Sequence, residues 1–131
     1  VFYVQYAHAR CCSINKIANQ LFEEKITKKE LDFSLLNLPE EISLIKLLCL
    51  FNKNIELAVE SYEPNKLTNY LYELSKNFHS YWSLGTLNSD KRILVEKNIK
   101  LSSARLGLVN GVKKIISQGL KILDISAPSS M

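Results

Sequence analysis

The stretch Lys91–Leu123, KRILVEKNIKLSSARLGLVNGVKKIISQGLKIL, decides how the rest of the chain is read. Leu94, Leu101, Leu108, Ile115 and Ile122 recur every seven residues, the spacing of one side of a helix. Ala104, Val112 and Gly119 widen that stripe. A single apolar stripe on a long segment predicts a helix over 91–123 that packs its stripe into a bundle core. Glycines cost a helix interior about 1 kcal/mol each. Gly107, Gly111 and Gly119 therefore call for a reason such as close approach of a neighbouring helix.

Working outward, the same helical period appears four more times and strand signals are nearly absent. Pro64 opens a segment with Leu67, Leu71, Leu74, Phe78 and Trp82 at three- and four-residue spacing, and Gly85 with Asn88-Ser89-Asp90 marks a loop after it. A short helix is predicted over Asn54–Ser61. Another runs from Pro39, a favoured first-turn residue, to Asn52, with Glu40 and Glu41 suited to the positive end of its dipole. Lys25–Asn37 reads as a charged linker whose LDFSLL is either a short helix or irregular. The first helix is predicted over Tyr3–Glu24, with Val4, Ala7, Cys11, Ile14, Ala18 and Leu21 on its buried face. Tyr3, Tyr6, Arg10, Ser13 and Ile17 form an adjoining face. The expectation is an all-α bundle of about five helices ending in an extended tail, ISAPSSM, broken at Pro128.

A chain of 131 residues is one domain's worth and long enough to bury a core unaided. With 47% apolar and 23% charged residues it is neither disordered nor fibrous. The most apolar window, Ile42–Phe51, is too short for a membrane span and no signal peptide is visible. Cys11, Cys12 and Cys49 are an odd, sparse set that fits reduced thiols in a cytoplasmic protein. The opening at Val1, already helical and uncapped, suggests the C-terminal fragment of a longer protein. The net charge of +4 is unevenly spread: Lys91–Lys121 has eight basic residues and one acid, while Asp32–Glu73 has seven acids and three lysines. That pattern fits either an anionic partner or an ordinary solvated helix surface.

Catalytic signals are weak. GxxxxGK[ST], GxGxxG and HExxH are absent. His8 and Cys12 stand at i, i+4, but two ligands do not complete a metal site, and none is expected. No thiol is marked as activated for a Cys–His pair, and His79 is expected in or beside the core. No catalytic residue is assigned. More informative are Tyr3, Tyr6 and Arg10 at i, i+3, i+7. Two phenol rings and a guanidinium on one side suit unstacked nucleic-acid bases; burial of both tyrosines in the core is the competing reading.

The letters themselves resemble a family. VFYVQYAHAR (Val1–Arg10), LTNYLYELSKNFHSYW (Leu67–Trp82) and ARLGLVNGVKKIISQGLKILDISAPSSM (Ala104–Met131) occur in the order found in the C-terminal anticodon-binding (DALR) domain of class I arginyl-tRNA synthetases. The resemblance implies an α-helical bundle that binds the anticodon stem-loop of arginine tRNA. Tyr3, Tyr6, Arg10 and the terminal Met131 match that family's anticodon-binding residues, with Tyr81 and Trp82 as weaker matches. It also implies that ATP and magnesium are used by a catalytic domain attached in cis, whose HIGH-like and KMSKS-like motifs are not in these residues. This domain would itself need no cofactor. A monomeric, cytoplasmic enzyme without membrane contact is expected. Departures are Ser129-Ser130 where Glu-Arg is common, Asp124 where a Gly is usual, and the Cys11-Cys12 pair. The rival reading is a helical protein-interaction module that docks a partner through exposed tyrosines.

Overall fold

A computed structural model describes residues 1–22 and 31–131. Five α-helices account for the architecture: α1 (Phe2–Phe22), α2 (Pro39–Cys49), α3 (Phe51–Glu60), α4 (Asn65–Leu87) and α5 (Ile99–Ile122), and no strand occurs among the described residues. The predicted first-helix end at Glu24 and the first part of the charged linker, residues 25–30, lie outside the described residues. LDFSLL becomes a single 3-10 turn, Phe33–Leu35, capped by the Asp32 side chain. α4 packs against α1, α2, α3 and α5, and α5 lies chiefly along α1. Tyr81, Phe78, Leu44, Leu71 and Leu74 are the largest fully buried side chains, so the core is centred on α4.

Within α1 the predicted face is buried through Val4, Ala7, Cys11, Ile14 and Ala18. Its last member is corrected: Leu21 is exposed and Phe22 is buried instead. Burial also pushes the Cys11 thiol up to about 12, so at neutral pH it is an inert packing group. α2 begins as expected at Pro39, and Glu41 reaches back to accept the Leu38 N–H at 3.0 Å. α3 starts earlier than predicted, because only Leu50 separates it from α2. Gly85, expected in a loop, lies inside α4. A Cβ there would come within 2.9 Å of Arg92 Cγ, so the glycine admits the returning chain.

The largest correction concerns the last helix. It starts at Ile99, not Lys91, and residues 92–98 are non-helical. Side chains of α5 hold three backbone groups of that connection, the Val95 N–H and the Val95 and Arg92 carbonyls. Ser102 Oγ accepts from Val95 N–H and donates to the Val95 carbonyl at 2.7 and 2.8 Å. Arg105 Nη1 donates to the carbonyls of Asp90 and Arg92 at 2.8 and 2.6 Å. Asn98 then caps α5 through the Leu101 N–H. The seven-residue stripe is only part of the buried face: Leu108 is buried with Ala104, Val112 and Gly119, but Leu94 lies before the helix and Ile122 is exposed, and Val109, Ile116 and Leu120 complete the buried side. A straight helix drifts by about 20° per heptad, so a strict seven-residue row rotates out of the core. Gly119 has the close approach its presence demanded, since a Cβ would meet Leu71 at 2.7 Å.

A buried ion pair locks three elements together. Glu41 and Arg105 are both enclosed, and Arg105 Nε donates to Glu41 Oε2 at 2.9 Å. The same oxygen accepts the Tyr81 hydroxyl at 2.6 Å. Burial, reinforced by that bond to a carboxylate, pushes the Tyr81 phenol far above its ordinary pKa. After α5 the chain turns through Asp124, whose φ of 56° is left-handed, with the Ile125 N–H bonded to the Leu120 carbonyl. A Gly suits this position because it enters the left-handed region without Cβ strain.

Candidate nucleic-acid interface

Helical spacing projects Tyr3, Tyr6 and Arg10 from one flank of α1, and all three have solvent-accessible surface. What spacing alone did not reveal is the wall that α4 builds beside them. Tyr72, His79 and Trp82 line the facing side of α4 and join the α1 residues in a continuous row. Ring centroids stand 5.2 Å apart for Tyr72–Tyr3, 4.8 Å for Tyr3–His79 and 5.6 Å for His79–Tyr6. The Arg10 guanidinium then lies 4.8 Å from the Tyr6 ring centre and 4.0 Å from that of Trp82. Tyr3, Tyr6, Tyr72 and Trp82 are each 36–49% exposed, so one part of each ring packs while another faces solvent.

Arg10 is held in a fixed pose. Its Nη2 donates to the Tyr6 hydroxyl at 3.0 Å and its Nη1 lies 2.8 Å from His79 Nδ1. A guanidinium only donates, so His79 Nδ1 must be the acceptor and the ring proton resides on Nε2. Nε2 is buried with no hydrogen-bond partner among the described residues. Burial first, and the adjacent Arg10 charge second, lower the His79 pKa below its ordinary value. A neutral His79 thus orients Arg10 without neutralising it. Among the described residues no carboxylate lies within ion-pair distance of Arg10. Its charge is therefore available to an incoming anion or to the acceptor edge of a base.

The C-terminal tail completes this cleft. Gln5 Nε2 donates to the Ser126 carbonyl at 2.9 Å, and His8 Nδ1 donates to the Pro128 carbonyl at 2.8 Å. These bonds strap the extended tail across the outward side of α1. The strap explains why Ala9, which points away from the core stripe, is only 5% exposed. Met131 is thereby brought beside Tyr6, Arg10, Ile17 and Trp82 around a cleft of about 230 Å³. Trp82 and Ile17 also wall a second, mostly apolar cleft of about 250 Å³ that extends to Thr86 and Arg92.

Four residues singled out in the sequence (Tyr3, Tyr6, Arg10 and Met131) therefore stand on one surface, and Trp82 joins them. Tyr81 does not: it is fully enclosed, bonded to Glu41, and belongs to the core. The reason is helical geometry. Adjacent residues on α4 diverge by 100°, so Trp82 can face α1 only if Tyr81 turns toward α2 and α5. Tyr72 and His79 were missed, although their seven-residue separation and the three residues from His79 to Trp82 place them on one side of α4. His8 is engaged with the tail, which accounts for it without a metal.

Among the described residues the chain is a helical bundle with an aromatic-lined surface, a fixed guanidinium that no carboxylate pairs, and a tail strapped across α1. The chain belongs to the DALR anticodon binding domain family, whose sequence model matches residues 4–131. It is 39% identical over its whole length to an arginine--tRNA ligase of Rickettsia canadensis (strain McKiel) and covers 23% of that protein. It is 40% identical, with the same coverage, to arginine--tRNA ligases of Rickettsia africae (strain ESF-5) and Rickettsia felis (strain ATCC VR-1525 / URRWXCal2). The chain thus spans about a quarter of the length of these curated relatives. No solved structure matches it. No described helix is long and apolar enough to cross a membrane.

Proposed function

We propose that this chain is the anticodon-reading part of an arginine--tRNA ligase and that its ligand is the anticodon stem-loop of arginine tRNA. The observation that carries the reading is the cleft formed by Tyr6, Arg10, Trp82 and Met131 in a DALR-family domain. An anticodon loop presents unstacked bases. Aromatic faces stack on such bases for roughly 1–3 kcal/mol each, and a fixed guanidinium adds directional donors to base edges. Tyr3 and Tyr6 serve as stacking platforms, Arg10 as the donor, and Met131 as a soft apolar wall that fits a base face. Trp82 packs its ring against Arg10, 4.0 Å from the guanidinium carbon, and helps to hold the guanidinium in place.

The chemistry of activating arginine with ATP belongs, in this reading, to the remainder of a cytoplasmic, monomeric ligase joined in cis. The domain contributes by orienting the tRNA, so that a distant acceptor end meets the active site in a productive pose. The protein-docking alternative is not favoured by the family. The test is Tyr6→Ala in the complete ligase. Affinity for arginine tRNA falls about 5- to 150-fold, the equivalent of one lost base stack, while arginine- and ATP-dependent adenylate formation stays near wild type. Unchanged tRNA charging kinetics would remove Tyr6 from the interface.

A further inference from the structure

The tail strap has a second side. Across it from the aromatic cleft, the polar face of α5 and the flank of α1 that carries His8 and Asn15 enclose a groove of about 780 Å³. Lys113, Lys114 and Lys121 line it, together with Asn110, Ser117 and Gln118. The two helices that form it, Phe2–Phe22 and Ile99–Ile122, contain no acidic residue at all. The only described ion pairs are Lys66–Glu63 and Arg105–Glu41, so among the described residues none of the three groove lysines is paired with a carboxylate. In contrast, α2 and α3 carry Glu40, Glu41, Glu56 and Glu60 against Lys46 and Lys53.

The groove also has neutral donors in fixed positions. Asn15 Nδ2 donates to Asn110 Oδ1 at 2.8 Å and to the Cys11 carbonyl at 2.9 Å. That bond ties α1 to α5 and leaves the Asn110 amide NH2 without a partner among the described residues. Cationic point charges spaced along one polar channel, with amide donors between them and no acid among the described residues that line it, match a row of phosphates and hydroxyls. They do not match an apolar peptide face or a single small anion. The aromatic cleft and this groove flank the same helix, separated only by the strapped tail, so one RNA can occupy both.

We infer that the α1–α5 groove holds the phosphodiester backbone of the tRNA next to the bases seated in the cleft, so that Lys113, Lys114 and Lys121 supply sequence-independent affinity. This rests on the tRNA reading above. It divides the domain into a base-reading side and a backbone-holding side, with the tail as the partition. The division has a consequence that neither side has alone. Neutralised phosphates release counterions, so log K falls with log salt by roughly 0.7–0.9 per phosphate contact. Base stacking carries no such term.

The test uses the complete ligase and labelled arginine tRNA, cognate and anticodon-substituted, titrated over about 50–300 mM salt. A Lys113→Gln, Lys114→Gln, Lys121→Gln triple variant binds both tRNAs about tenfold or more weakly at the low-salt end, and its salt slope is shallower by about one per lysine. Its ratio of cognate to substituted affinity stays at the wild-type value. The corresponding Lys→Arg triple variant keeps the wild-type slope. Tyr6→Ala shows the opposite pattern, a reduced ratio with an unchanged slope. A Lys→Gln triple variant with wild-type affinity and slope overturns the inference, as does a loss confined to the cognate tRNA. A reduced slope in that variant alongside a wild-type ratio in Tyr6→Ala supports the groove and refutes the anticodon reading.

Discussion

Arg10 and Arg105 are held by opposite means, and the contrast separates the part of the molecule that makes the fold from the surface proposed to meet a ligand. Arg105 is 4% exposed, and its donors are directed to Glu41 and to two backbone carbonyls. Its charge is spent inside the protein. Arg10 packs against the Tyr6 and Trp82 rings and leans on a neutral imidazole. Rings and imidazole fix its position but leave its charge uncompensated. Arg105 is paired with a carboxylate inside the protein, whereas Arg10 is oriented by groups that do not cancel its charge, as the proposed binding role requires.

The sharpest way to break this contrast is to remove Arg105. Arg105→Met leaves Glu41 as a buried carboxylate with no countercharge and frees the carbonyls of Asp90 and Arg92 inside the protein. Losing one partner of a buried pair costs about 3–5 kcal/mol. Thermal unfolding followed by far-UV circular dichroism should show the loss as a large fall in midpoint. Arg10→Met should leave that midpoint nearly unchanged while weakening tRNA binding. A Glu41→Leu, Arg105→Met double variant recovers part of the loss, because the unpaired charge is gone, but not all of it, since Tyr81 and Leu38 still lose an acceptor. Equal stability losses for Arg10→Met and Arg105→Met would mean that the two arginines share a structural role.

The two regions also differ in how far they can be read from sequence. Tyr3, Tyr6 and Arg10 are three and four residues apart on one helix, so their shared flank follows from local geometry alone. Met131 entered through the family resemblance; its arrival depends on Gln5 and His8 binding tail carbonyls more than a hundred residues away. The Glu41–Arg105–Tyr81 cluster joins three helices, and no local period signals that a charged pair will be enclosed. Glu41 reads as a favourable first-turn carboxylate, which it is, yet its second oxygen does the larger work. The start of α5 was misread for the same reason. Residues 92–98 carry a helix-compatible pattern, but side chains of Ser102 and Arg105 bond the backbone of Val95 and the Arg92 carbonyl and hold the stretch in a non-helical path.

A smaller effect distinguishes the neighbours Tyr81 and Trp82. Tyr81→Phe removes one donor to a buried carboxylate and costs about 1–3 kcal/mol of stability, with no change in the ratio of cognate to anticodon-substituted tRNA affinity in the complete ligase. Trp82→Ala does the reverse: it removes a ring that holds Arg10 and lowers that ratio. If Tyr81→Phe alters the ratio at wild-type stability, the cluster reaches the ligand and the division between fold and interface is wrong.

The smallest effect probes the imidazole beneath Arg10. The folded pKa of His79 lies below its ordinary value of 6.5, by burial and then by the Arg10 charge. As pH falls through that ordinary value the unfolded chain takes up the proton first. With more protons bound in the unfolded state, stability rises with pH across the interval and is lost on acidification. Below the folded pKa the penalty levels off, because both states are then protonated. Protonation also removes the Nδ1 acceptor and sets a second cation against Arg10, so affinity for arginine tRNA should change along with stability. His79→Asn keeps an acceptor oxygen near the Nδ1 position but has no charge to gain. Between about pH 7 and pH 5 the wild-type unfolding midpoint should fall more steeply than that of His79→Asn. Since His79 is only partly buried, the difference is modest, well under that for Arg105→Met. Parallel midpoint curves for the two proteins would show that Arg10 is held by Tyr6 and Trp82 alone.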